Sequence, residues 1–277
     1  MKFNLHTLIL MLGLLIPTET RASERLLQAL TALQAAYPEA IKGVTADAIV
    51  WSDGTHMPLG PITATKNCHD KLNFPALRDQ LEQDEYVSGA PTSYPTTDPG
   101  RIRYEPFFLK MYGATSQEVE SHLDLVAWMP KLFGTTTYML PVTRINQVNE
   151  KIRIISQELE SLVLHKPELL IFLCQPAGTY NWRTIAGTNR LSNHSFGMTL
   201  DINTTQTQYW QWDMAKEQQA VSEETSISYR NTLPWEIVEV FEKHGFIWGG
   251  KWYHYDTMHF EYRPELFIKN NNEKLSS

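Results

Sequence analysis

The chain has 277 residues, 42% hydrophobic and 20% charged, a balance that suits a globular protein and excludes a disordered one. Its formal net charge of −7 argues against nucleic acid as a partner, because phosphates need a basic surface. Aromatic residues make up 11% of the chain, enough for a dense core or a ring-lined groove.

In chain order, a positive start at Met1-Lys2 precedes an apolar run of nine residues, Leu8–Ile16, and then Thr20-Arg21-Ala22. This is the pattern of a secretory signal peptide cleaved after about Ala22. Nine apolar residues fall short of the ~20 that span a bilayer. The chain is therefore expected to be exported, periplasmic or extracellular, with no membrane span once residues 1–22 are removed. In an exported chain Cys68 and Cys174 are a potential disulfide. Cys174 ends an apolar run (LLIFLC) and reads equally well as a buried free thiol.

From Ser23 to Tyr37, leucines at 26, 27, 30 and 33 predict an amphipathic helix with Ser23 as its N-cap. Ala48–Trp51 reads as a strand, closed by a turn at Ser52-Asp53-Gly54-Thr55. Residues 88–100 are rich in Pro, Ser and Thr and read as a loop. Tyr104–Tyr112 is aromatic and apolar, suited to a core and less readily to a substrate channel. A helix is predicted to open at Thr115 and run towards Trp128. Thr136–Val142 reads as a strand, Asn146–Leu164 as a long amphipathic helix and Leu169–Cys174 as a strand. Pro234–His244 is a helix followed by Gly245, and Met258–Tyr262 is a last strand. Long helices mixed with short separated strands predict an α+β fold. The expected organisation is a signal peptide (1–22), an N-terminal region packing on or extending the rest (23–135) and a chemistry-bearing domain (136–277).

Chemistry gathers in two stretches. Ser192–Asn203 reads SNHSFGMTLDIN, and within it Asp201 sits in a strand that otherwise looks buried. An ionised carboxylate is costly to bury unless it is paired or holds a metal. His194 stands seven residues earlier, and near the C-terminus Asp256 precedes His259 by three. Two imidazoles and one carboxylate form a familiar zinc set that leaves a fourth position open. Asp256 then serves as the proton acceptor. Two ligands of one ion lie ~3–4 Å apart, whereas seven residues of straight strand span ~23 Å. The chain must therefore fold back between His194 and Asp201, and Gly197 is the residue suited to allow it. His254 and Glu261 compete for roles here: His254 stands beside Asp256, and Glu261 shares a strand face with His259. His56, His69, His122, His165 and His244 read as structural or solvated.

SNHSFGMTLDIN resembles the S-x-H-x-x-G-x-x-x-D signature of the zinc D-Ala-D-Ala peptidases (the peptidase M15 group), and Asp256-Thr257-Met258-His259-Phe260-Glu261 is similar to that group's downstream motif. The resemblance covers about Leu169–Glu265. It implies a small antiparallel sheet flanked by helices, of the Hedgehog/D,D-peptidase kind, with residues before it as an N-terminal extension. It implies zinc held by His194, Asp201 and His259, with Asp256 as catalytic base. It also implies an upstream arginine that holds a substrate carbonyl or steadies the oxyanion: Arg183, with Arg190 as the alternative. The implied substrates are peptidoglycan stem peptides, cut at D-Ala-D-Ala by a carboxypeptidase or at L-Ala-D-Glu by an endopeptidase. A zinc-containing wall-binding protein without turnover is the reading from another class.

Overall fold

A computed structural model describes residues 18–62, 66–217 and 226–267. Residues 1–17 of the predicted signal peptide lie outside the described residues. Among the described residues no helix is long and apolar enough to cross a membrane.

The first helix, Thr18–Ala36, turns Leu26, Ala29, Leu30 and Leu33 inward at the spacing the leucines predict. It begins before Ser23, which therefore lies inside it and is not its cap. A three-stranded antiparallel sheet follows: β1 (Ile41–Val44), β2 (Ala48–Trp51) and β3 (His56–Pro58). The aromatic segment becomes the helix Glu105–Tyr112, with Phe107, Phe108, Met111 and Tyr112 buried. Its role is packing: Phe108 stacks on Phe196 at 5.8 Å between ring centres, and Tyr112 meets the same ring at 6.0 Å.

The helix capped by Thr115 ends at Glu120, and the chain turns into β4 (Leu123–Trp128) instead of continuing as a helix. β4 pairs antiparallel with β5 (Tyr138–Thr143) at six consecutive positions, a ladder that local periodicity does not reveal. The hairpin also crosses the expected boundary at residue 135, so its two strands form one packing unit. Leu169–Cys174 is not a strand but a 3-10 turn, Pro167–Leu169, leading into a short helix, Leu170–Leu173. Pro167 presets a helical φ at its start, and so short an apolar run has no period to distinguish strand from helix. The long helix Val148–His165 lies against β4 and β5 as its amphipathic pattern predicts.

The last sheet holds β6 (Thr199–Asp201), β7 (Phe246–Trp248) and β8 (His259–Tyr262) in the order β6-β8-β7, all antiparallel. All four residues of β8 are buried, so the strand is covered on both faces. Phe260 stacks on Phe241 of the helix Trp235–Lys243 at 3.8 Å. Alternation along the strand therefore turns His259 and Glu261 to the other face. One apolar core runs from Leu26 and Ile49 through Phe107 and Val142 to Phe260, so residues 23–135 and 136–277 share their interior. Small antiparallel sheets flanked by helices make the fold α+β, as expected.

Candidate metal centre

Ser192 opens a single 3-10 turn, Asn193–Phe196, and its hydroxyl accepts the His194 N–H at 3.3 Å. Gly197 closes the turn in the left-handed region at φ 63°, the conformation a residue without Cβ adopts most readily. The fold-back required between His194 and Asp201 is thus a 3-10 turn with a glycine exit. Phe196, wedged among Phe108, Tyr112 and Trp182, anchors it. The chain then enters β6, whose register sets Asp201 directly opposite His259 on β8. Side chains of such a pair stand on the same face within a few ångströms.

The result is a cluster of His194, Asp201 and His259 whose ligand-type atoms all lie within 4.8 Å of one another. Asp201 is its hub: Oδ2 lies 3.1 Å from His194 Nε2, and Oδ1 lies 2.9 Å from His259 Nδ1. The other nitrogen of each ring faces an acceptor. His194 Nδ1 meets the Thr179 carbonyl at 2.9 Å, and His259 Nε2 meets Glu261 Oε2 at 3.4 Å. Rings that donate outward keep an inward lone pair, the arrangement of metal-ligating histidines. The donor set, its convergence and these outer acceptors fit a divalent metal such as zinc.

Without a metal the cluster is a buried ion pair, and a metal entering it would displace the proton of His259. Burial alone would raise Asp201, but the charge and hydrogen bonds of His194 and His259 prevail and hold it far below the carboxylate range. Burial would lower His259, yet hydrogen bonds to Asp201 and Glu261 raise it to about 10. Asp256 is pushed up to about 7, first by burial and second by the charge of Asp201. Its Oδ1 is buried with no hydrogen-bond partner among the described residues, an open acceptor beside the cluster. A carboxylate poised near neutral pH is suited to accept and return a proton.

The two competing residues have definite places. His254 is bound to Asp98, through its backbone N–H to Oδ1 at 2.9 Å and through Nδ1 to Oδ2 at 2.6 Å. Glu261 is fully buried and backs His259. Arg183 is tied by its backbone to both sides of His194: its N–H donates to Ser195 Oγ at 3.0 Å, and its carbonyl accepts the Ser192 N–H at 3.0 Å. Its side chain is exposed, with the guanidinium 3.4 Å from the Thr184 carbonyl. Arg190 instead lines a cavity of about 630 Å³ with Arg103 and Asn193. Cys68 and Cys174 are both free thiols, the first exposed and the second half-buried.

Sequence reasoning missed the segment 97–103. Thr97 and Pro99 carbonyls accept the Tyr253 N–H at 2.8 Å and Trp252 Nε1 at 2.7 Å, Asp98 holds His254, and Arg103 pairs with Glu261. The alternation Arg101-Ile102-Arg103, charges either side of an apolar residue after a Pro-rich loop, was the one available signal. The Thr179 carbonyl behind His194 had none.

Residues 186–262 match the family model described as D-alanyl-D-alanine carboxypeptidase, of the peptidase M15 group. The matched segment contains His194, Asp201, Asp256 and His259, and supports the family resemblance of both motifs and a peptidase activity. No curated protein and no solved structure matches the chain.

Proposed function

We propose that this chain, whose residues 186–262 match the D-alanyl-D-alanine carboxypeptidase model, is a zinc-dependent carboxypeptidase of peptidoglycan stem peptides. The observation that carries this reading is the convergence of His194 Nε2 and His259 Nδ1 on the Asp201 carboxylate, beside an Asp256 Oδ1 that has no hydrogen-bond partner among the described residues. Those three side chains would hold the ion, and zinc, when bound, supplies the Lewis acid that polarises a scissile carbonyl and acidifies water. Asp256 accepts the proton of the attacking water as the carbon–oxygen bond forms. It returns that proton to the leaving amine as the carbon–nitrogen bond breaks. Arg183, fixed on either side of His194 and exposed, holds the substrate carbonyl or steadies its developing negative charge. Stem peptides lie outside the cytoplasmic membrane, in keeping with export directed by residues 1–22.

The test is D-alanine release from a stem pentapeptide ending in D-Ala-D-Ala, by zinc-loaded wild type and Asp256→Asn. The wild type is expected to release D-alanine, and the variant to lose ~10²–10⁴ in rate while keeping its metal. Cleavage between L-Ala and D-Glu instead would reassign the chain as an endopeptidase. Zinc binding with cleavage of neither bond would overturn the hydrolase reading in favour of a wall-binding protein.

A further inference from the structure

The metal cluster is backed by a chain of buried charges that leaves the matched segment. Glu261, behind His259, accepts hydrogen bonds from Arg103, Arg263 and Asn193. Arg103 engages it in a fork, Nε on Oε1 at 3.2 Å and Nη2 on Oε2. Arg263 Nη1 reaches Glu261 Oε1 at 3.0 Å and the Gly100 carbonyl at 3.1 Å. Arg263 Nε continues to Glu265 at 2.6 Å, and Glu265 accepts from Tyr37 Oη at 2.7 Å. Arg103 also covers the Trp252 ring at 5.6 Å, and the Trp252 ring in turn lies 5.6 Å from the His259 ring.

We infer that Arg103 is a positioning residue for the metal centre: from a segment outside the family match, it fixes Glu261, and Glu261 fixes the outward nitrogen of His259. The inference rests on the proposed metal centre and adds to it a contribution from residues 97–103. The physical ground is the bidentate fork. A carboxylate held at both oxygens cannot rotate, so its acceptor for His259 Nε2 keeps one direction, and Nδ1 keeps its aim at the Asp201 side. Arg263 alone reaches only Oε1, the oxygen that does not face His259. Arg103 is the arginine whose fork reaches Oε2, the oxygen that does. The long sequence separation explains why the contribution is invisible in the motif: Arg103 stands 158 positions before Glu261.

The test is zinc affinity, measured by competition with a chromophoric chelator, for full-length wild type, Arg103→Gln, Glu261→Gln and the double variant. Folding of each metal-free protein is followed by near-UV circular dichroism. Arg103→Gln is expected to bind zinc about 10- to 100-fold more weakly, the usual effect of losing an outer partner of a metal ligand. In the Glu261→Gln background the same change is expected to add less than about twofold, since the two act through one contact. If Arg103→Gln fails to fold, Arg103→Lys carries the test, because it keeps the buried charge and loses the fork. Its expected zinc affinity lies between wild type and the Glu261→Gln variant. Zinc uptake by the wild type matched within about twofold by a folded Arg103 variant would overturn the inference alone. Full additivity with Glu261→Gln would do the same. A wild type that takes up no zinc would overturn the metal centre and this inference with it.

Discussion

Gly197 closes the turn that brings His194 to Asp201, and Gly197→Ala tests that geometry. An L-residue in the left-handed region costs ~1–2 kcal/mol. A Cβ there would lie 2.6 Å from Leu123 Cδ2 and 3.2 Å from the Thr143 backbone nitrogen. The leucine terminus can rotate away. Thr143 cannot: its nitrogen donates to the Gly197 carbonyl at 3.0 Å, and it pairs with Leu123 in the β4–β5 ladder. Overpacking of this kind adds ~1–3 kcal/mol, against a gain of ~0.4–1 kcal/mol from a stiffer unfolded chain. The net expectation is a loss of roughly 1–4.5 kcal/mol. Gly187→Ala is the control. It has φ 75° but nothing within 4 Å of a Cβ, so it bears the backbone cost alone. Urea unfolding of the metal-free proteins, with chelator competition for zinc, reads both effects. Gly197→Ala should be the less stable by at least about 1 kcal/mol and the weaker in zinc. Equal stability and equal zinc affinity in the two variants would refute the account of the turn.

Phe196→Ala removes the ring that anchors the same turn among Phe108, Tyr112 and Trp182, and should cost ~3–5 kcal/mol in urea unfolding. Arg183→Ala should lower kcat/KM for the pentapeptide by ~10²-fold with unchanged zinc content; unchanged kinetics would remove Arg183 from the reaction. Asp98→Asn should show a pH signature. Burial would raise Asp98, but the hydrogen bond from His254 and the charge of Arg101 lower it on balance. A carboxylate lowered in the folded state contributes stability above its unfolded value, ~3.9, that is lost as pH falls through the folded one. The stability gap between wild type and Asp98→Asn should therefore be wide at neutral pH and shrink as the medium is acidified below about pH 4. A gap that stays constant down to pH ~3 would contradict the pairing.

What could be read from the sequence was local or carried by a motif. The leucine spacing of the first helix and the long helix Val148–His165 follow from periodicity, and the strand around Asp201 follows from its run of apolar residues. The need for a bend between His194 and Asp201 followed from reach alone, and Gly197 supplies it. What was not legible depends on partners far along the chain. β4 is a strand because β5 pairs with it, although its residues follow a good helix cap at Thr115. LLIFLC turns helical after Pro167, which no hydrophobic count of six residues could decide. Arg103 comes to Glu261, and Asp98 to His254, only because residues 97–103 lie along residues 252–263. Glu261 was visible as a neighbour of His259 on one strand face, but its charged backing was not.

The most direct test of the central claim is the metal content of the never-chelated wild type beside His259→Ala, by elemental analysis. About one zinc per chain is expected in the wild type, held as a three-ligand site, and its loss in a variant that remains folded. A folded wild type without metal, or a variant that retains the full equivalent, would contradict the claim that His194, Asp201 and His259 form a metal centre.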